Sequence, residues 1–164
     1  MCKSIELRIT NQELRFMRED KINKIEAHVA GICFDGDNVL CLKRSPERKI
    51  YPNLWECGGG AVWPGENFEE AVLRELRDES GIIAECLGVS GVYEILTPDL
   101  EQKKIPGLKM TCRFLGYEGG TNEPKLSSEH VEWKWVSVDK LDGIDFIPGV
   151  ADDIRAAYEI YRKM

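Results

Sequence analysis

The amino-acid sequence predicts an α/β protein of the α+β kind, in which a mixed β-sheet is sandwiched between helices. Segments rich in β-branched and aromatic residues are interleaved with two amphipathic helical patterns, over residues 67–80 and 150–162. A chain of 164 residues is also the size of one domain with a proper core. We therefore expect a single domain over residues 26–164, preceded by an N-terminal lead-in segment over residues 1–25.

The lead-in segment is charged and weakly patterned. Residues 5–9 alternate apolar and polar side chains as a strand does, and residues 11–20 fit a short helix. Two interpretations stay open for this segment: a lead-in strand, or a contact between two copies of the chain in a homodimer.

A hairpin begins the domain. The β-rich residues 27–34 lead through a turn of Asp, Gly, Asp and Asn at residues 35–38 into the apolar run 39–42. A short strand over residues 54–57 then enters three successive glycines, residues 58–60, which allow the close approach of another group.

The first helix is expected over residues 67–80, after a turn at Pro64 and Gly65 and with its end at Gly81.

Two long strands, over residues 84–96 and 109–118, are predicted next, with a loop at 97–107 between them. Residues 131–136 alternate as a half-buried strand does. The last helix has one apolar stripe and should pack as a cover. The stripe consists of Val150, Ile154, Ala157, Tyr158 and Tyr161.

Composition excludes several classes of partner. The net charge of −7 argues against a nucleic-acid polymer, because phosphate backbones are bound through an excess of Lys and Arg. The six cysteines are scattered without a Cys-x-x-Cys pair, so we interpret them as small core residues in a reducing compartment. No signal region and no apolar stretch of about 18 residues occurs, which predicts a cytoplasmic protein without a membrane partner.

Three acids of the first helix lie on its apolar side. At about 100° per residue, with Glu75 at zero, Glu79 falls near 40° and Asp78 near −60°. The same arc holds Phe68, Ala71, Val72 and Leu76, whereas Arg74 points the other way. Neighbouring carboxylates that are partly desolvated are costly unless a divalent cation lies among them. The alternative is a solvated acidic helix face, but these acids share the apolar arc and follow a glycine-rich turn.

The segment resembles the Nudix box, in which the position of Asp78 is a glutamate. It reads Gly60-x5-Glu66-x7-Arg74-Glu75-Leu76-x-Asp78-Glu79-x-Gly81-Ile82. The resemblance covers residues 24–140 or so. It implies a Nudix-like α/β/α sandwich and a hydrolase that cleaves a nucleoside diphosphate linked to another group, with Mg²⁺ or Mn²⁺ as the cofactor.

The same resemblance assigns roles to box residues. It implies metal binding by Glu75, Asp78, Glu79 and the carbonyl of Gly60, with Glu75 and Glu79 the firmest ligands. For Arg74 two interpretations stay open: it orients a carboxylate, or it forms a surface pair with Glu70 or Asp78. Glu66 begins the helix, where its charge favours the helix dipole.

Two places stay open for the base that activates water: within the box, or outside it. A segment similar to residues 128–136 brings a further glutamate to the metals in many relatives, and we choose Glu129, with Glu132 in reserve. His130 is interpreted as a surface residue with only a minor chance of a catalytic role.

Basic and aromatic residues are candidates for substrate binding. Lys43 and Arg44 close the hairpin, at a position that often faces the nucleotide in relatives; the alternative for Arg44 is a solvated strand end. Trp55 is a candidate for stacking on a base, as are Trp63, Phe114 and Trp133. Many relatives have Pro-Gly-Gly where this chain has Gly58-Gly59-Gly60, which predicts a less rigid loop.

The expected substrate is a nucleoside triphosphate, including oxidised ones similar to 8-oxo-dGTP, split into monophosphate and pyrophosphate. The alternative within the class is ADP-ribose or a nucleotide sugar, which Pro98 favours weakly. A non-catalytic nucleotide-binding module is a further alternative, although such members generally lose box acids. A structural calcium site fits poorly, because these ligands come from a helix face.

Overall fold

The structure is a computed structural model that describes residues 26–96 and 104–164. The expectations for residues 5–9, 11–20 and Pro98 lie outside the described residues.

Seven strands within the described residues form one mixed sheet. They are β1 (His28–Asp35), β2 (Asn38–Arg44), β3 (Trp55–Glu56), β4 (Gly59–Ala61), β5 (Ile82–Leu96), β6 (Lys104–Tyr117) and β7 (His130–Ser137). The order is β3-β2-β1-β6-β5, with β4 paired to β1 and β7 paired to β2. Among these seven strands, β1 and β6 pair in parallel and the other pairings are antiparallel.

The hairpin that the turn residues predict is present, since Phe34 pairs with Val39 and Asp35 with Asn38. Strand β1 pairs with β2 there and, through its first residues, with β4. The run of three glycines is therefore partly a strand, because Gly59 and Gly60 of β4 pair with Ala30 and Val29.

Helix α1 (Phe68–Ser80) begins and ends where its sequence predicts. Asn67 caps it: its side chain accepts from the Glu70 N–H, while the Glu70 side chain accepts from the Asn67 N–H. Gly81 ends it in the left-handed conformation with φ of 67°, and its N–H donates to the Arg77 carbonyl. One prediction is wrong: Phe68 is exposed, because helical side chains lean towards the N-terminus and that of the first residue leans off the helix body.

The two faces of the sheet are covered by different helices, which confirms the sandwich. Cys33 of β1 and Leu42 of β2 face α1 and pack in one cluster with its Val72 and Leu76. On the other face, Phe34 packs under α2 (Val150–Tyr161). Strands buried on both faces have nearly continuous apolar sequences, as β1 and β2 do. Within the described residues, neither helix is long and apolar enough to cross a membrane.

Strand β6 begins earlier than predicted, because Pro106 and Gly107 belong to it and not to a loop. Pro106 pairs with Glu94 of β5, whereas the pairing of β6 with β1 begins only at Gly107. At Pro106, β6 therefore has no neighbouring strand on its β1 side among the described residues. A proline, which has no N–H to donate, is tolerated at such an edge position.

Candidate active site

Glu79, in the last turn of α1, is buried beneath the glycine run. Its side chain is 5% exposed, and Oε2 accepts a hydrogen bond of 2.8 Å from the Gly59 N–H. Glu75, one turn earlier, is 14% exposed and lies against Gly60. The structure thus turns both acids inward, as the helical pattern predicts.

The glycines are matched to these carboxylates. A Cβ added at Gly58 would lie 2.6 Å from Glu79 Oε2, and one at Gly60 would lie 2.6 Å from Glu75 Oε2. Any larger residue would displace a carboxylate. Gly58 also has φ of 98°, a backbone conformation that side chains rarely adopt.

Negative charge accumulates around Glu79. Burial raises the pKa of its carboxyl well above the ordinary value, and the charges of Glu56, Glu75 and Glu129 raise it further. The Gly59 N–H lowers it, but not enough to compensate. A buried carboxylate in such a field is destabilising at neutral pH unless a cation lies nearby.

Arg74 holds Glu75 in place. Its Nη1 donates to Glu75 Oε1 over 2.6 Å, while Nε and Nη2 bind the two oxygens of Glu66 over 2.6 and 2.9 Å. Its guanidinium lies 3.7 Å from the ring centre of Trp63. The hydrogen bonds to Glu66 and Glu75 hold the pKa of Arg74 above its usual range.

The outward direction predicted for Arg74 is therefore wrong. The helical wheel gives the direction of Cβ, but the long side chain curls back and is only 16% exposed. Of the two roles left open, the structure shows contact with the carboxylate of Glu75. Asp78 is a distant partner at 3.8 Å, and Glu70 serves in the helix cap instead.

The side chain of Asp78 also does not point in the inward direction that the helical wheel predicts. Its side chain is 56% exposed, so only two of the three acids lie inward. As the side chains stand, no group of three Asp, Glu, His or Cys residues within 26–96 and 104–164 is placed to hold a metal ion. Glu75 is turned to Arg74, and Glu79 to Gly59.

A polar network that the sequence did not predict lies beside Glu79. Glu56 of β3 accepts from Arg44 Nη1 over 2.6 Å and contacts His130 Nε2 at 3.0 Å. Burial alone would raise the pKa of Glu56, but hydrogen bonds to His130 and Arg44 lower it below the ordinary value. Arg44 also donates to the Ile50 carbonyl and is 12% exposed, so it is not a solvated strand end.

The prediction of His130 as a surface residue is wrong. The residue is 4% exposed, and its Nδ1 is buried and has no hydrogen-bond partner among residues 26–96 and 104–164. It is in register with Arg44 across β2 and β7, at an irregularity of the pairing that turns it inward, while its neighbour Val131 is exposed. A signal for Glu56 did exist, because a single acid stands between Trp55 and Cys57 in a short strand.

The two candidates for the base occupy different places. Glu129 binds Arg48 over 2.9 Å and is 45% exposed. Its negative charge nevertheless raises the pKa of Glu79. Glu132 binds Lys43 over 2.6 Å. Lys43 is the residue after Leu42, whose side chain faces α1, so the Lys43–Glu132 pair lies on the opposite face.

Lys43 and Trp55 are not brought to the acids. Trp55 is buried in the cluster beneath α2, with Lys134 3.9 Å and Lys43 5.8 Å from its ring centre. Both therefore lie on the face of the sheet opposite to the acids, since successive strand residues face opposite sides of a sheet. Among the other aromatic candidates, Phe114 and Trp133 pack against the core under α1, and Trp63 stacks on Arg74.

The residues present fit a divalent cation. The donors that converge on the glycine run are carboxylate and carbonyl oxygens, the ligands that Mg²⁺ and Mn²⁺ prefer. Burial and the neighbouring acids disfavour the charged form of Glu79 and raise its pKa, and a cation beside it would favour that form. Glu75, Glu79 and the Gly60 carbonyl would hold the ion, with Asp78 at the exposed edge.

Comparison with known proteins agrees with this picture. The NUDIX domain family model matches residues 24–158. The nucleoside triphosphatase NudI of Escherichia coli K12 is 29% identical over 110 residues, which cover 65% of this chain and 77% of that protein.

Solved structures also match. The MutT protein of Methanosarcina mazei Go1 has 26% identity and a TM-score of 0.61, over 84% of this chain and 93% of that one. An ADP-ribose pyrophosphatase of Streptococcus suis 89-1591 has 20% identity and a TM-score of 0.64, over 84% and 92% of the two chains. The second likeness concerns the fold alone.

Proposed function

This chain belongs to the NUDIX family, and on that premise we propose that it hydrolyses nucleoside triphosphates to a monophosphate and pyrophosphate with Mg²⁺ or Mn²⁺. The observation that carries the proposal is the pair of inward carboxylates, Glu75 and Glu79, packed against Gly58 and Gly60. The name of the E. coli relative, a nucleoside triphosphatase, supports this choice of substrate.

The chemistry needs water brought to a phosphorus that is crowded by negative oxygens. A divalent cation supplies charge neutralisation and a more acidic water. The chain supplies orientation: Glu66 fixes Arg74, Arg74 fixes Glu75, and the Gly59 N–H fixes Glu79. Rigidly held groups lose little entropy on reaching the reactive geometry.

Two further groups are assigned by position. Glu129, whose charge reaches Glu79, accepts the proton of the attacking water. Arg44, held by Glu56 and the Ile50 carbonyl on the face of the acids, offers positive charge to the phosphates. Because Nε, Nη1 and Nη2 already donate to these two groups, the contribution of Arg44 is its charge.

The test is Glu79→Gln with Glu69→Gln as a matched control. Both changes remove one charge from α1, but Glu69 is exposed. We expect Glu79→Gln to lower kcat for pyrophosphate release by at least about 10²-fold and Glu69→Gln to change it by less than about twofold. Equal activity of Glu79→Gln and the wild type would refute the catalytic assignment.

Product analysis separates the alternatives. The substrate panel contains the common nucleoside triphosphates, oxidised guanine nucleotides, ADP-ribose and nucleotide sugars, each with Mg²⁺ and with Mn²⁺. AMP and ribose phosphate from ADP-ribose, without triphosphate turnover, would replace the proposed substrate. A metal-dependent rise in Tm without any turnover would indicate a binding module.

A cytoplasmic location and a homodimer remain predictions from the sequence. Light scattering of the full chain will measure the second.

A further inference from the structure

Three cysteines lie in register across three neighbouring strands. Cys33 of β1 is paired with Cys112 of β6, and Cys112 with Cys86 of β5. Residues directly opposite one another in a sheet point to the same face. All three side chains accordingly pack against the core beneath α1.

The three thiols differ in access and in acidity. Cys33 and Cys112 are fully buried, whereas Cys86 is partly exposed. The neighbouring Cys112 side chain lowers the pKa of Cys86 to about 7, against the opposing effects of burial and of the Glu69 charge. The Cys112 thiol itself donates to the Met110 carbonyl, and the neighbouring Cys86, burial and Cys33 raise its pKa well above the ordinary value.

We propose that Cys86 and Cys112 form a reversible dithiol–disulfide pair, in which Cys86 reacts first and Cys112 resolves it. The proposal is independent of the hydrolase assignment, since neither thiol belongs to the acid cluster. Its oxidant is a disulfide of low molecular mass.

The backbone can accommodate the bond. Cβ atoms of directly opposed residues in an antiparallel pair are about 4.5–5.5 Å apart, and a disulfide needs about 3.5–4.5 Å. The two Cβ atoms would therefore have to move about 1 Å closer together. The pairing of β5 with β6 has an irregularity between Cys86 and Gly88, where β5 can yield.

The reaction proceeds in two exchanges. The Cys86 thiolate attacks one sulfur of the small disulfide, whose S–S bond breaks and releases one thiol. Cys112 then attacks the Cys86 sulfur and releases the second thiol. The two protein thiols lose two electrons and two protons, which the small disulfide takes up as it becomes two thiols.

The first experiment maps the link in the full chain. The reduced protein is incubated with glutathione disulfide, digested with trypsin without reductant, and analysed by mass spectrometry. Cleavage after Arg77, Lys103, Lys109 and Arg113 gives peptides 78–103 and 110–113. We expect these two joined by a disulfide and separated by dithiothreitol. A link between Cys33 and Cys112, or glutathione retained on Cys86 in the wild type, would overturn the proposal.

Variants assign the two roles. Cys112→Ser should leave glutathione on Cys86, and Cys86→Ser should leave the protein without either the link or the adduct. Cys33→Ser, which removes the third thiol of the row, should leave the link intact. An adduct on Cys112 in Cys86→Ser would contradict the order of reaction.

Two measurements on the wild type need no variant. Alkylation by iodoacetamide at pH 7.5 should modify Cys86 at least about tenfold faster than Cys33, Cys41, Cys57 or Cys112. The link closes a loop of roughly 25 residues, so oxidation should raise Tm by about 5–10 °C, reversibly. Equal alkylation rates, or a link that forms only as the folded signal is lost, would refute the pair.

Discussion

The two faces of the sheet are covered by helices of similar length, yet only one of them buries charge. Beneath α2, Ile154 and Ala157 meet a cluster of apolar and aromatic side chains. Beneath α1, the apolar cluster around Leu76 continues into Glu79, and His130 and Glu56 lie beside it. Among the described residues, the buried carboxylate and the buried imidazole both belong to this face.

The difference teaches where chemistry can be sought in such a fold. Hydrophobic patterning explains both covers equally well, so it identifies packing and not function. The candidate site lies where inward helical positions carry acids against the glycines of β4 and the residue before it. Three experiments test this contrast.

The largest expected effect is one that both faces should share. Leu76→Ala and Ile154→Ala each truncate a fully buried side chain, under α1 and under α2. Each should lower the free energy of unfolding by about 2–5 kcal/mol, because a cavity remains. Urea denaturation without metal measures both. A cost below about 1 kcal/mol at either site would show that the covers are not equivalent in packing.

The next effect should separate neighbouring residues on opposite faces. Arg44→Gln should lower kcat/KM by about 10–100-fold, since it removes the charge offered to the phosphates. Lys43→Gln should change kcat/KM by less than about threefold, because Lys43 pairs with Glu132 on the other face. Steady-state kinetics with one triphosphate compares them. Equal losses would place Lys43 in the site after all.

The smallest effect concerns stability and pH. Glu56→Gln should cost about 1–2 kcal/mol at pH 7, because Arg44 and His130 lose a buried carboxylate partner. The folded pKa of Glu56 lies below its ordinary value of 4.5, so its contribution is complete above pH 4.5 and disappears as the pH falls through the folded value. The difference between wild type and variant should shrink accordingly.

Asp153→Asn provides the comparison on the α2 face. Asp153 pairs with Lys109 at a partly exposed position, so the loss should stay below about 1 kcal/mol. Unfolding curves of the three proteins between pH 3 and 7 measure both effects. A difference between wild type and Glu56→Gln that grows on acidification would contradict the network.

Local patterns predicted most of the fold. The turn at Pro64 and Gly65 and the stop at Gly81 place α1 to within a residue, because a helix end depends on nearby groups. The early start of β6 was missed because Pro106 usually marks a loop. Within the part of the chain that the structure describes, β6 has no partner on one side at that proline, and pairing partners are not visible in a local window.

The inward direction of the two carboxylates in the candidate site could be predicted from the sequence. The residues that lie around them could not. Glu75 and Glu79 share one helix, so their spacing reveals their common direction. Glu56 and His130 are 74 residues apart, and nothing local brings them together. The outward direction predicted for Arg74 is wrong because a helical wheel describes Cβ positions and ignores the length of the side chain.

The dihedral angle of Gly58 has a consequence for protein engineers. Replacing a rare residue with the one that most relatives carry is a common route to a more durable protein. The family that the box resembles has many members with proline at this position, and its ring restricts φ to about −65°. In this chain the Gly58 backbone has φ of 98°, and only 2.6 Å would separate an added Cβ from Glu79 Oε2. Substitution by the family's common residue should therefore destabilise the protein at position 58, because Glu79 leaves no room for a side chain there.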